Sequence, residues 1–241
     1  MGLETHRGLG VVRSGKWRTA FAVAMLGLIA INSAALAECD DKPYPGVDWA
    51  HCSKERLMLE GRDLTGANFE GTLLSGTGLQ SAKLAGANLR RSEMVRASFS
   101  NADLSGADLE KALASRTDFN EANLSKARLV KVEFQRVSLV GADLTGADLS
   151  DSDLHRNDFS NAKLAGADLT GAIVPRSLFL GADLTGASLT RTFLYRSRFE
   201  GTDLSQVKGL TQAQLDQTCG DQTTKLPEGL TVPAQWPCGD D

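Results

Sequence analysis

The sequence predicts an all-β solenoid, a parallel β-helix of square cross-section with a small cap at each end. Two periods and one break in composition carry that expectation. From Leu57 to Gln206 a unit of five residues repeats thirty times without insertion or deletion. Its centres, the residues from Leu59 to Leu204 whose numbers end in 4 or 9, are Leu, Phe or Met at all but two places, Ala114 and Val174. Two residues before each centre stands a small side chain such as Ala67, Ala82, Ala87 or Ala102, with Thr, Ser or Val as substitutes. A period of five fits neither the 3.6 of a helix nor the 2 of a long strand, so each unit is a short extended piece followed by a corner.

The second period is twenty residues and sets the number of units per turn. Phe99, Phe119, Phe159, Phe179 and Phe199 share one column, with Leu139 filling the vacancy, and leucines run unbroken from Leu64 to Leu204 at the same spacing. Arg96, Arg116, Arg136, Arg156, Arg176 and Arg196 repeat every twenty residues outside the core. Four units therefore close one turn, and the layers stack at the sheet spacing of roughly 4.8 Å. Thirty units make seven and a half coils, a rod about 35 Å long at that spacing. In such a coil stability sums over neighbouring layers.

Runs such as Ala142-Asp143-Leu144-Thr145-Gly146 and Ala147-Asp148-Leu149-Ser150 resemble the A(D/N)LxG consensus of pentapeptide-repeat proteins. The resemblance covers about 150 of the 241 residues, in register throughout. It implies a right-handed quadrilateral β-helix, and the handedness comes from the resemblance alone. The family is functionally broad, so the likeness does not settle function.

Residues 1–37 depart from the repeat. Arg7, Arg13, Lys16 and Arg18 precede an uncharged stretch from Thr19 to Ala37 that ends in Ala35-Leu36-Ala37. This is the form of a secretory signal with an A-x-A cleavage site, leaving Glu38 as the first mature residue. A retained membrane anchor is the rival reading, because the uncharged stretch nearly reaches the length of a span. Glu38 stands where a lipobox needs a small residue, so Cys39 is not read as a lipidation site. The absence of a twin-Arg pair favours the general secretory route.

Residues 38–56 read as a disulfide-linked N-terminal cap, 57–206 as the repeat, and 207–241 as a C-terminal cap. All four cysteines lie outside the repeat: Cys39 and Cys52 before it, Cys219 and Cys238 after it. A coil holds its two ends tens of ångströms apart, so only the local pairings are geometrically reasonable. A metal site using the nearby His51 is the alternative, and it lacks a second histidine or a CxxC pair. Between the first two cysteines, Pro43, Pro45 and Gly46 exclude regular structure, and Tyr44 and Trp49 are expected to cover the first layer of the coil. The same two rings are the residues a carbohydrate platform would use. After Gly209 the register fails. Thr211-Gln212-Ala213-Gln214 has the form of a capping box, with Leu210 and Leu215 as a hydrophobic staple, so a short helix starts there. Trp236 beside Cys238 is expected to pack on the last coil. In gyrase-directed members of the family a C-terminal segment builds a dimer, which leaves a homodimer open for this chain.

Charge placement is more informative than its sum. From Glu38 onward there are 22 basic and 29 acidic side chains, a net −7. Residues 91–96 and their equivalents every twenty residues form the fourth side of the coil with its two corners. They carry ten basic residues, the six arginines above with Arg91, Lys111, Lys131 and Arg191, against Glu93, Glu133, Asp151 and Asp153. That side is +6 and the remainder −13. Arginines stacked at one corner repel by about 0.9 kcal/mol per neighbouring pair even at the dielectric of water. Either they fan into solvent and pair with Glu93, Glu133 and Asp153, keeping the side from aggregating, or they form a track for an anionic partner. Val95, Phe193 and Tyr195 sit outward beside the column and favour contact. The aspartates that precede core leucines, such as Asp63, Asp103 and Asp143, are expected to satisfy corner amides or solvent.

No catalytic constellation emerges. His51 and His155 are solitary, His6 lies in the signal, and no phosphate-binding glycine motif or ligand cluster is present. From Ala67 onward Asn157 is the odd residue among the small inward positions, either as a satisfied core amide or as a ligand site. The expectation is a non-catalytic exported module, periplasmic or secreted, that binds or scaffolds protein or an anionic envelope polymer. It uses no cofactor or metal, binds no nucleic acid and keeps no stable membrane span after cleavage. The second reading is a DNA-mimicking topoisomerase-binding regulator, against which stand the signal and the basic side. The third is an enzyme.

Overall fold

A five-residue side is too short to satisfy its own backbone, so its hydrogen bonds must run between layers. They do so throughout the structure, a computed structural model that describes residues 39–239. The signal reading of residues 1–37 and the mature start at Glu38 lie outside the described residues. Parallel bridges join each outward residue to the one twenty positions later, from Asp48↔Asn68 through Asp103↔Asn123 to Ser188↔Lys208. The amides of the core centres commonly donate to a carbonyl of the next layer, as in Leu64 N to Lys83 O at 2.8 Å and Leu104 N to Asn123 O at 2.7 Å. Among the described residues regular strands form only on the fourth side, as β1 (Leu113–Ser115), β2 (Glu133–Gln135) and β3 (Asp153–His155), paired in parallel in the order β1-β2-β3.

Each side ends in a corner with one backbone geometry. Every residue whose number ends in 1 or 6, from His51 to Gly201, has φ between +54° and +71°. Ala67 N donates to Leu64 O at 3.0 Å across such a corner, the form of a type II turn, which requires positive φ at its third residue. Four such corners fall in each twenty-residue turn. The centres and the small residues before them point inward and are almost wholly buried. Phenylalanines stack along the core, Phe99 on Phe119 at 4.8 Å, Phe159 on Phe179 at 4.9 Å and Phe179 on Phe199 at 5.0 Å, with planes within 9° of parallel.

The coil begins earlier than the sequence boundary at Leu57. Val47, Trp49, Cys52 and Lys54 already occupy inward positions and are buried, and Asp48 and Ser53 pair with the next layer. The periodic signal was hidden because Lys54 stands at a core centre. Its ammonium lies 3.9 Å from the Trp49 ring centroid and donates to the Cys39 carbonyl. Burial pushes its pKa down, with Asp40 and Asp41 acting in the opposite direction. Trp49 covers the first layer as expected, packing edge-on against Phe69 at 5.6 Å and donating to Asp41 O at 3.2 Å. Tyr44 does not, being 47% exposed.

Both cysteine pairs are local, Cys39–Cys52 and Cys219–Cys238, with Cα atoms 5.5 and 5.4 Å apart. The capping box starts α1 (Gln212–Leu215), with Thr211 as N-cap, and Leu215 is fully buried. Past this helix the chain returns to the coil, pairing Arg198↔Cys219 and Asp203↔Lys225, so the last open layer is covered by the cap's own backbone. Among the described residues no helix is long and apolar enough to cross a membrane.

Phe179 has a stacked ring on each side, so Phe179→Ala is expected to destabilise the coil by about 3–5 kcal/mol. Phe179→Leu, which repeats what Leu139 does in the same column, should cost less than about 1.5 kcal/mol. Urea denaturation of the two variants checks this ordering.

A basic corner column as candidate functional site

The corner position favours glycine, because left-handed backbone costs an ordinary L-residue roughly 1–2 kcal/mol. One of the four corner columns largely complies, and a second, from Gly61 to Gly201, is glycine at half its positions. The first, from Gly66 through Gly86, Gly106, Gly146 and Gly166 to Gly186, is broken only by Lys126. The column after Gly76 does the reverse. Arg96, Arg116, Arg136, Arg156, Arg176 and Arg196 occupy it in succession with φ of 54–56°. All six are exposed. Their amides donate to the next layer at 2.6–3.0 Å, from Arg96 N to Ser115 O through Arg196 N to Gln217 O.

What holds these corners lies inside the coil. Between residues 67 and 197 the inward position is Ala at every layer of two corner columns. At the two columns bounding the fourth side it is often polar: Thr72 and Thr77 in the early layers, Thr117, Ser152 and Ser177 further on, and Thr192 and Ser197 near the end. Their hydroxyls donate down the rod to a core-centre carbonyl of the preceding layer, Thr192 Oγ1 to Leu169 O at 2.8 Å and Ser177 Oγ to Leu154 O at 2.8 Å. Asn157 is the fullest case. Its Nδ2 donates to Phe134 O at 3.1 Å and its Oδ1 accepts from Val137 N at 2.8 Å, bridging both ends of the Arg136 corner. Asn157 is thus a satisfied core amide, buried and hydrogen-bonded through both its Nδ2 and its Oδ1.

The electrostatics differ by column. Elsewhere on the rod charges alternate along the layers. Lys83 lies 3.8 Å from Asp63, Lys163 3.9 Å from Asp143 and Lys225 2.9 Å from Asp203. Arg90 and Arg128 clamp Glu110 and Asp108, and the Arg128 hydrogen bond foremost holds the Glu110 carboxyl down at about 2. Stacked aspartates also accept corner amides, as in Ser105 N to Asp103 Oδ1 at 3.1 Å and Thr145 N to Asp143 Oδ1 at 2.9 Å. In the arginine column, by contrast, Arg96, Arg116, Arg136, Arg156 and Arg176 have no carboxylate within 4.0 Å among the described residues. The pairing with Glu93, Glu133 and Asp153, one of the two alternatives for these arginines, is not seen for these five among the described residues. Those residues stand mid-side, three positions before the arginine corner, and Asp153 is taken by His155.

Beside the column the outward surface is partly apolar. Leu113, Ile173 and Phe193 share one register line along the fourth side, and each is more than a third exposed. Phe193 and Tyr195 lie nearly parallel, centroids 6.2 Å apart and planes 14° from parallel. Among the described residues no group of three His, Cys, Asp or Glu could hold a metal ion.

These features define a repeat coil with a cationic corner column, beside which the outward surface is partly apolar. The matching family model is that of pentapeptide repeats, in eight copies over residues 59–91, 97–136, 138–173 and 176–207. The chain belongs to the pentapeptide-repeat family. No curated protein is close enough in sequence to match it. Among solved structures it is similar to HetL of the cyanobacterium Nostoc sp. strain PCC 7120, a pentapeptide repeat protein involved in heterocyst differentiation regulation, at 24% identity over 83% of this chain and 90% of that one, TM-score 0.33. It is also similar to full-length QnrB1, a plasmid-mediated fluoroquinolone resistance protein, at 18% identity over 73% and 94%, TM-score 0.37. A third likeness is to a pentapeptide repeat protein of the Arabidopsis thaliana thylakoid lumen, at 27% over 46% and 63%, TM-score 0.21.

Two outcomes test this account of the corners. Asn157→Ala leaves Val137 N–H and Phe134 C=O without their partner and is expected to destabilise by about 1–3 kcal/mol, read by chemical denaturation. Glu110 has a folded pKa of about 2 and an unfolded one near 4.3. Its contribution is therefore present above about pH 4.3 and lost as pH falls through about 2. Wild type should lose more melting temperature than Glu110→Gln between about pH 5 and about pH 2.

Proposed function

We propose that this chain is an exported, non-catalytic binding or scaffold module whose basic side engages anionic partners, protein or envelope polymer. On this reading residues 1–37 are a secretory signal cleaved after Ala37, and the mature protein is periplasmic or secreted. The coil is the right-handed quadrilateral β-helix of its family, and it uses no cofactor.

One observation carries the binding reading. Six successive layers place Arg, not Gly, at a left-handed corner, and five of those arginines have no carboxylate partner among the described residues. Backbone strain of this kind persists only where surrounding structure enforces it and tends to mark functional surface. The interior hydroxyls and Asn157 supply that enforcement. Guanidinium groups repeating at the layer spacing suit a partner with several anionic groups in line. Two local disulfides support the exported reading.

The test is made in two parts. Cell fractionation with mass spectrometry of the mature chain should find it outside the cytoplasm, beginning at Glu38 with both disulfides intact; a full-length cytoplasmic protein would favour the DNA-mimicking regulator. Pull-down from envelope extract should then recover a partner with wild type. The variant carrying Glu at 116, 136, 156 and 176 should lose it while staying folded. Retention should weaken as salt is raised, and undiminished retention by the variant returns the column to a solvated edge.

A further inference from the structure

Strands β1, β2 and β3 end on Ser115, Gln135 and His155, which stand in register from layer to layer. Arg116, Arg136 and Arg156 follow them at the corner, each amide fixed to the next layer at 3.0 Å. These guanidiniums therefore rise from a straight, convex ridge whose step is the sheet spacing of about 4.8 Å. None of the three has a carboxylate within 4.0 Å among the described residues. Toward the C-terminal cap the ridge runs into a groove of about 1060 Å³. Arg156 and Arg176 line it together with the exposed ring of Tyr195, the Gln217 amide and the carboxylates of Asp158 and Asp216, among others.

The geometry discriminates among anionic partners. A flat lipid surface would have to meet the whole side, where Glu133 and Asp153 stand mid-side in register with one another and oppose its charge. On an extended polypeptide the side chains of one face repeat at about 6.6–6.8 Å, and on a helix a straight row advances by the pitch of about 5.4 Å. Both slip against a step of about 4.8 Å, and the slip accumulates over successive arginines. A pyranose ring in an extended polysaccharide advances the chain by close to one layer. With a carboxylate on each sugar, such a chain keeps pace with the column. The groove adds two groups that an acidic peptide does not use. The Tyr195 ring offers an apolar face to the C–H side of a sugar, and Asp158 and Asp216 can accept from sugar hydroxyls.

We propose that the column binds a linear acidic polysaccharide bearing carboxylates on successive sugars. The chain lies along the ridge of Arg116, Arg136 and Arg156, each guanidinium donating to one carboxylate. Its end enters the groove, where a sugar ring packs on Tyr195. This names the partner class within the anionic-partner reading given under Proposed function and rests on it. A thin chain on a convex ridge also accounts for the acidic residues that the mid-side tolerates, because the ligand runs along the corner and never covers them.

The experiment uses the full, disulfide-bonded chain and measures binding calorimetrically at one fixed salt concentration. The probes are hexagalacturonate, hexaglutamate, neutral maltohexaose and vesicles of phosphatidylglycerol. Hexagalacturonate should bind about tenfold or more tightly than hexaglutamate, and maltohexaose should show no binding. The folded triple variant Arg116→Gln, Arg136→Gln, Arg156→Gln should weaken hexagalacturonate by about tenfold or more. Tyr195→Ser should weaken hexagalacturonate by about threefold or more and leave hexaglutamate where it was. Hexaglutamate bound as tightly as hexagalacturonate, or vesicles bound in place of it, overturns the polysaccharide and leaves the anionic-partner reading standing. Hexagalacturonate binding that the triple variant keeps overturns the ridge as its site, and a Tyr195→Ser protein with unchanged affinity overturns the seat in the groove. Binding to none of the anionic probes contradicts the polysaccharide and the anionic-partner reading together.

Discussion

The structure depends on hydrogen bonds that reach from one layer to the next. A single twenty-residue coil has no backbone pairing along its sides, so the centre amides are commonly satisfied by a carbonyl nineteen positions later, as Leu144 N is by Lys163 O at 2.7 Å. That constraint explains why thirty units follow one another with no insertion, since one extra residue would turn every later side chain out of register. It also explains the caps. The C-terminal return pairs Arg198↔Cys219 and Asp203↔Lys225, spacings of 21 and 22 residues, only after α1 has taken up the slack. At the other end Trp49 and Lys54 hold the incoming loop over the first layer.

Within that frame the four corners are chemically unequal. Where glycine sits outside and alanine inside, the corner satisfies itself. On the fourth side arginine or lysine often sits outside, and a hydroxyl or Asn157 ties the corner from within. On the remaining surface opposite charges pair between layers, seen in the Lys83–Asp63 and Lys163–Asp143 pairs and in the clamp on Glu110. The arginine column therefore stands out twice, by keeping a non-glycine residue at a left-handed corner in six successive layers and by a charge that five of those layers leave without a carboxylate within 4.0 Å among the described residues.

Much of this was legible in the sequence because the period is short and strict. The inward centres, the four-unit turn, the short helix at Thr211 and the local cysteine pairs follow from spacing and capping chemistry. The start of the coil was not, because Lys54 at a core centre and Cys52 at a small position disguise two units, and only the Cys39 carbonyl and the Trp49 ring explain how a lysine fits there. The pairing of Glu93 and Glu133 with the arginines failed because proximity in sequence says little about reach from mid-side to corner. Asn157 was visible as an exception, but its purpose needed the neighbouring layer, since both its partners lie more than nineteen residues away. The groove at the cap was not legible, because the chain leaves the period before it folds back.

The central claim is that arginine is kept at these corners for contact, at the expense of stability. Its most direct measurement is the unfolding free energy of a variant with glycine at 116, 136, 156 and 176, read beside its retention of envelope partners. The account predicts a rod more stable by about 0.5–1 kcal/mol per corner that no longer retains its partner. A glycine variant that is less stable than wild type, or one that keeps every partner, would contradict it.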